Sequence, residues 1–409
     1  MKHDVDDLAI FGGAPLFASP RPIGQLDTPD IEDYLTLLKE IFAARRLTND
    51  GPIVDRLERE LAAFHGVKHC IAVANAGLGL IMLMQILANG RRGNVIMPSF
   101  SYRGLPHFAQ WAGLMPQFCD VAEATHGLDP LAVSRAIDGD TVAILGVCNC
   151  NDPGDIDGLV QVAADRGVPI IFDSVYALGG TYRGRRLGCF GRAEVFSLHA
   201  TKMLNGFEGG YVTTDDDALA SKLRWARNFS LPGLAPPDIT DDDRLLGMNA
   251  KLNELHAAMA LLSLHRYDDI VRGNKARYDA YGKACAGIPG LRLVPFADAD
   301  SEQRNFGLVL LETGEDWPLS RDATVALLKA EGAAISAYYS PPLHRSEHCP
   351  AGIAVPDLPV SDSLARRFLQ LPSGDFVSED DIGAVGALLR FVGARGTAIA
   401  ARLAAGKAA

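Results

Sequence analysis

Residues 168–200 read VPIIFDSVYALGGTYRGRRLGCFGRAEVFSLHA. The stretch opens on the apolar run VPIIFD, which ends in Asp173, and closes on a second run, AEVFSLHA, whose end carries Ser197 and His199 with Lys202 just beyond. Several runs of this kind are apolar on consecutive residues rather than alternately, as expected of strands covered on both faces in a mainly parallel sheet. Working outward, CIAVA (70–74), GNVIMP (93–98) and TVAILGV (141–147) repeat the pattern, with helical periodicity between them from Gly66 to about Thr214. Such alternation predicts βαβ units and a three-layer αβα domain.

From about Arg224 the periodicity lapses into RWARNFSLPGLAPP, whose Pro and Gly mark an exposed loop. Between Lys251 and Lys283 apolar residues return at helical spacing, predicting one or two long helices that lead into a second domain. That domain carries a β-like run FGLVLLE (306–312) and helices at RDATVALLKAEG (321–332) and SEDDIGAVGALLRFV (378–392). The expected fold class is therefore α/β: a large domain over residues 1–270, including an N-terminal arm, and a smaller C-terminal α/β domain over 271–409. The Ala-rich tail RGTAIAARLAAGKAA (395–409) reads as a frayed helix.

Composition narrows the function. The 409 residues hold 39 Lys and Arg against 50 Asp and Glu, a formal charge of −11, which opposes broad binding to nucleic-acid backbones or anionic membranes. Seven scattered Cys without a C-x-x-C disfavour a disulfide framework and a structural zinc site. The N-terminus MKHDVDDLAIFGGAP has early acidic residues and no apolar core of a leader, so a cytoplasmic location is expected.

In α/β sheets ligands gather beyond the carboxyl ends of the parallel strands, so the residues after each strand belong together. Here they form a set: Asp173, Ser174 and Tyr176 after one strand, Ser197, His199 and Lys202 after the next, Tyr102 after a third, and Asn75-Ala76-Gly77-Leu78-Gly79 opening an apolar helix after CIAVA. Pyridoxal 5'-phosphate uses all of it, needing a Lys for a Schiff base, a carboxylate against the pyridinium nitrogen, and a helix N-terminus with hydroxyls for the phosphate. The glycine turn lacks G-x-G-x-x-G and no G-x-x-x-x-G-K-[ST] occurs, which weakens dinucleotide and P-loop readings. Singly, each residue has a plainer role: a solvated Lys, a capping Asp, packing tyrosines, a turn glycine.

The run FSLHATKMLNGFEGGYVTT (196–214) closely resembles the cofactor-lysine signature of the DegT/DnrJ/EryC1/StrS aminotransferases, a family of the aspartate-aminotransferase-like fold type I. The resemblance extends through PSFSYRGLPHFAQWAGLMPQFCDV (98–121), DPGDIDGLV (152–160), RNF (227–229), GMNAKLNELHAAM (247–259), YYSPPLH (338–344) and LARRFLQLP (364–372). It implies that Lys202 carries the cofactor and moves the substrate proton, that Asp173 pairs with the ring nitrogen, and that Ser197 with the backbone of Gly77, Leu78 and Gly79 holds the phosphate. It further implies that Tyr102 stacks on the ring, that Tyr176 lies near the cofactor 3-hydroxyl, and that Asn249 reaches the phosphate from the neighbouring subunit of a homodimer with shared sites. His199, Lys251, Tyr339 and His344 fall on the substrate side.

Departures from the family pattern are local. Leu78 stands where Thr is usual, Tyr176 replaces an amide or imidazole, Lys251 replaces an Arg, and 149–152 reads Asn-Cys-Asn-Asp in place of an aromatic and Gly. Because Lys rather than His stands at 202, the resemblance implies transamination rather than dehydration. The implied reaction moves an amino group, with L-glutamate as donor, onto a nucleotide-linked keto-6-deoxysugar. Amination of a cyclitol or other keto precursor, and a non-catalytic cofactor-binding regulator, are the alternatives.

Overall fold

The computed structural model describes residues 2–406 apart from 238, 241, 242, 244, 298–303, 348, 352 and 354. Seven strands build the main sheet: β1 (His69–Val73), β2 (Asn94–Pro98), β3 (Met115–Cys119), β4 (Thr141–Val147), β5 (Ile170–Asp173), β8 (Glu194–Ser197) and β9 (Gly210–Thr214), with the short pair β6 (Thr181–Tyr182) and β7 (Arg185–Arg186) between β5 and β8. Their order is β1-β9-β8-β5-β4-β2-β3. The pairs β2/β3, β2/β4, β4/β5 and β5/β8 are parallel, and β9 runs antiparallel to both its neighbours. The mainly parallel sheet expected from the apolar runs is present, with one reversed strand. β3, MPQFC, lacks such a run, and its Pro116 is tolerated because β3 lies at the sheet edge.

Helices cover both faces. On one face Ile71, Val73, Leu145 and Val195 pack with α3 (Ala76–Ala88), α4 (Leu105–Trp111) and α7 (Asp217–Ala226). The alternate residues Cys70, Ala72 and Phe196 face the opposite layer, where α1 (Ile31–Ala44), α2 (Pro52–His65) and α8 (Glu254–His265) lie, while α5 (Pro130–Ala136) and α6 (Ile156–Arg166) cover Ile144 and Ile170. A strand alternates its side chains between faces, so burial on both requires the consecutive apolar residues seen in the sequence. α3 starts abruptly because the Asn75 side chain caps it, accepting the Leu78 N–H at 2.8 Å. Gly210 in β9 permits that start to sit against the sheet, since a Cβ there would fall 2.5 Å from the Ala76 nitrogen.

α8 passes directly into α9 (Tyr267–Cys285), which resolves the long helical stretch into two helices. A second, four-stranded antiparallel sheet follows, ordered β10-β11-β13-β12, from β10 (Leu291–Leu293), β11 (Leu310–Thr313), β12 (Ser336–Ala337) and β13 (Phe368–Gln370). α9, α10 (Arg321–Ala330) and α12 (Glu379–Gly406) enclose its core, and α11 (Pro359–Leu364) precedes β13. Leu8 and Phe17 join this core, and the buried Glu331 carboxylate accepts the N–H groups of Ala9 and Leu16, both at 2.8 Å. The N-terminal segment is thus tied to the smaller sheet. α12 continues without interruption to Gly406 and Ile399 is fully buried, so the tail is helix packed at least to Ile399, while residues 401, 402, 404 and 405 are exposed. Residues 407–409 of that tail lie outside the described residues. Glu379–Ala405 is the one described helix long and apolar enough to cross a membrane by length and composition, and its Val385, Leu389 and Val392 pack in the core shared with α9.

Candidate active site

The ends of five strands converge on one cleft of about 420 Å³. β1 delivers Asn75 to Gly77, β2 delivers Ser101 and Tyr102, β4 Cys148, β5 Asp173 and Tyr176, and β8 Ser197, His199, Thr201 and Lys202, while Tyr339 closes the wall from the segment after β12. The parallel strands point the same way, which is why residues separated by more than a hundred positions in the chain meet here.

Lys202 follows β8 in a turn held by its N–H to the His199 carbonyl at 2.8 Å, and its Nζ lies 3.8 Å from the Tyr176 ring centroid. Asp173 is 8% exposed and its Oδ1 accepts the Val175 N–H at 3.1 Å. Burial pushes the Asp173 carboxyl up to about 6, against the pull of that amide and of the Lys202 ammonium. The group is therefore a carboxylate held in a poorly solvated place, where a cation in the cleft would stabilise it. Next to it, Ser174 donates to the buried Glu194 carboxylate, whose other oxygen accepts the N–H groups of Gly188 at 2.6 Å and Phe190 at 2.8 Å. These bonds fix the turn after β5. Asn305 fixes it from the other side, donating to the carbonyls of Tyr176 at 3.0 Å and Leu178 at 2.8 Å.

At the opposite end of the cleft, the Ser197 hydroxyl accepts the His199 N–H at 3.2 Å. His199 Nδ1 is 2.8 Å from the Thr201 hydroxyl, and its Nε2 lies 3.8 Å from Glu208, which also lines the cleft. At the start of α3 the Leu78 N–H is taken by the Asn75 cap and the Gly79 N–H by the Asn75 carbonyl at 3.2 Å. Only the N–H groups of Ala76 and Gly77 in that turn precede the helical ladder. Gly79 is instead a packing position, where a Cβ would meet Val212 at 3.2 Å. The Tyr102 ring stands at the cleft rim, 48% exposed and 6.4 Å from the Phe108 ring.

Two side lobes open from the cleft. One, of about 450 Å³, shares Ser101, Tyr102, Tyr176 and Tyr339 with it and adds Arg103, Ser336, Ser340, Glu347 and Gln370; the other, of about 200 Å³, lies behind Lys202 and Thr201. Two residues expected near substrate, His344 and Lys251, lie outside these walls, as does Asn249, which was expected at the phosphate of the neighbouring subunit's site. His344 is 1% exposed, with Nδ1 2.5 Å from the Ser99 hydroxyl and Nε2 3.4 Å from Asp362, so it clamps the turn after β2 rather than lining the cleft. Burial pushes its imidazole down from the ordinary range. Asn249 and Lys251 also lie elsewhere: Lys251 Nζ donates to Asn249 Oδ1 at 2.6 Å and sits 4.9 Å over the exposed Phe229 ring. Ser101, Cys148, Thr201 and Glu208 line the cleft without having been singled out, being small or polar residues with no pattern of their own.

Among the described residues no group of three or more His, Cys, Asp or Glu side chains forms a metal site. The chain is 26% identical over 377 residues to the dTDP-4-amino-4,6-dideoxy-D-glucose transaminase of Escherichia coli, covering 90% of this chain and 97% of that protein. It is 30% identical over 358 residues to the erythromycin biosynthesis sensory transduction protein EryC1 of Saccharopolyspora erythraea, covering 85% and 93%. The crystal structure of DesI in the presence of its TDP-sugar product superposes with a TM-score of 0.90 at 37% identity, over 98% of this chain and 99% of that one. The family model matched by residues 30–390, nearly the span that carries the sheet, the cleft and the second unit, settles the assignment: the chain belongs to the DegT/DnrJ/EryC1/StrS aminotransferase family.

Proposed function

We propose that the chain binds pyridoxal 5'-phosphate in this cleft and transfers an amino group from L-glutamate to a keto group on a nucleotide-linked 6-deoxysugar. The observation that carries the reading is the meeting of Lys202, the buried Asp173 carboxylate and the start of α3 in one cleft. The donor set suits the cofactor: an amine, an under-solvated carboxylate in need of a cation, and backbone N–H groups beside a serine hydroxyl for a phosphate. The names of the Escherichia coli transaminase and of DesI with its TDP-sugar support the substrate class.

When bound, the cofactor supplies an aldehyde for amine exchange and a ring that withdraws electrons from the reacting carbon. Lys202, whose Nζ lies 3.8 Å from the Tyr176 ring centroid, would be the amine that holds that aldehyde and the base that moves a proton at the reacting carbon. Asp173 would keep the ring nitrogen protonated, and a positive charge there would offset the cost of its burial. Ala76 and Gly77 N–H groups with the Ser197 hydroxyl would hold the phosphate, and Tyr102 at the rim would pack against the ring. Asn249 of the partner subunit would complete the phosphate site in a homodimer; its position outside its own cleft, bridged to Asn228 next to the exposed Phe229, supports that arrangement.

The test is a panel of nucleotide ketosugars and a cyclitol ketone with glutamate as donor, followed by mass detection of the aminated product. Turnover of ketosugars supports the reading; turnover of the cyclitol ketone alone overturns the substrate class. The name of the Saccharopolyspora erythraea relative, a sensory transduction protein, speaks for the regulatory reading, which stands only if no acceptor is aminated and glutamate leaves the cofactor unchanged.

A further inference from the structure

The two serines of the turn after β2 have opposite fates. Ser99 is bonded internally to His344, whereas the Ser101 hydroxyl, in a residue only 3% exposed, has no hydrogen-bond partner. Burial of an unpaired hydroxyl is unfavourable, so nearly all such groups are paired in native proteins, and an exception calls for a partner. Among the described residues Ser101 is the one unpaired buried side chain that lines the cleft or its lobes.

Its position indicates which partner. Ser101, Tyr102, Tyr176 and Tyr339 are the residues common to the cleft with Lys202 and to the 450 Å³ lobe. Any substrate whose reacting carbon meets Lys202 and whose bulk extends into that lobe passes this collar. The lobe beyond it is lined by the hydroxyls of Ser336 and Ser340, the amide of Gln370, the rings of Tyr338 and Tyr339, and the charged Arg103 and Glu347. Aromatic faces with hydroxyl and amide groups suit the alternating C–H faces and hydroxyl edges of a sugar ring, and Arg103 and Glu347 add charged groups that can bond further hydroxyls.

We propose, on the basis of the function above, that Ser101 is a specificity-determining residue whose hydroxyl bonds a ring hydroxyl of the acceptor sugar, and that the adjoining lobe seats the sugar. Neither the cofactor nor the amino donor is its partner.

The experiment compares wild type, Ser101→Ala and Ser101→Cys on dTDP-4-keto-6-deoxyglucose and on its 2-deoxy and 3-deoxy counterparts, with glutamate in excess and cofactor binding followed by absorbance. Expected is a loss of about 10- to 100-fold in kcat/KM for both variants on the fully hydroxylated sugar, with wild type and variants within about threefold on one of the deoxy sugars and cofactor affinity unchanged. A loss of equal size on all three sugars, or no loss, overturns the assignment. A shifted cofactor spectrum or affinity in Ser101→Ala assigns the hydroxyl to the cofactor and overturns it as well. Failure of the wild type to aminate any of the three sugars while glutamate still converts the bound cofactor removes the substrate class, and this proposal with it.

Discussion

Asp173→Asn separates the function of this residue from its cost to the fold. The carboxyl is raised from 3.8 to about 6 chiefly by burial, so the cofactor-free native state binds its proton more tightly than the unfolded chain does. Stability is complete below the unfolded value and is lost as pH rises through the folded one, by about 3 kcal/mol in full at about 1.4 kcal/mol per unit. Roughly half of that is already lost at pH 5, and about 1.4 kcal/mol more goes between pH 5 and pH 8. Asn keeps an oxygen for the Val175 N–H and does not titrate. Urea unfolding of the cofactor-free proteins at pH 5 and pH 8 should therefore show the wild type losing about 1.4 kcal/mol more than the variant across that interval. Glu194, pushed to about 7 by burial, titrates in both proteins and cancels from the difference. The loaded variant should lose at least about a hundredfold in transamination rate, because the ring nitrogen lacks its counter-charge. A wild-type-to-variant difference that stays constant from pH 5 to pH 8 would refute the claim that Asp173 is ionised at a cost.

Other perturbations probe the remaining walls. Gly210→Ala puts a methyl 2.5 Å from the Ala76 nitrogen and should weaken cofactor binding about tenfold or more by displacing the start of α3, as read by absorbance titration. His344→Ala removes the imidazole partner of the buried Ser99 hydroxyl, leaving it the backbone N–H of residue 344 at 3.3 Å, and should cost about 1–3 kcal/mol in unfolding free energy, with KM for donor and acceptor within about twofold; a KM effect above tenfold would restore a substrate role. If sites are shared, Lys202→Ala and Asn249→Ala protomers, each nearly inactive alone, should regain about a quarter of wild-type activity on random mixing, since half the dimers then carry one intact site of two. No recovery on mixing would place both residues in one subunit's site.

The parts of the fold legible in sequence were those set by burial on both sides of a sheet. VPIIFD and TVAILGV announce their strands because both faces must be apolar, whereas the edge strand MPQFC, with Gln117 and a proline, carries no such imprint. The reversed direction of β9 has no local signal either, because a strand's direction is set by its neighbours. In the site, Asp173, Ser197 and Lys202 were legible because each follows a readable strand and has chemistry few other residues supply. Gly79 and Leu78 misled in detail: the Asn75 cap consumes the Leu78 N–H, a choice made by the side-chain geometry of a single turn. His344 lies near Tyr339 in sequence, yet its ring turns inward to Ser99 while Tyr339 lines the cleft. Ser101 was silent, since a hydroxyl's lack of a partner is visible only once every neighbour is in place.

The most direct test of the central claim is the absorbance spectrum of the purified protein with pyridoxal 5'-phosphate, before and after L-glutamate, for wild type and Lys202→Ala. The account predicts a lysine-bound cofactor band in the wild type alone, which glutamate converts to the spectrum of the aminated cofactor. Formation of that band in Lys202→Ala, or its absence from the wild type, would contradict the assignment of Lys202 and of the cleft that surrounds it.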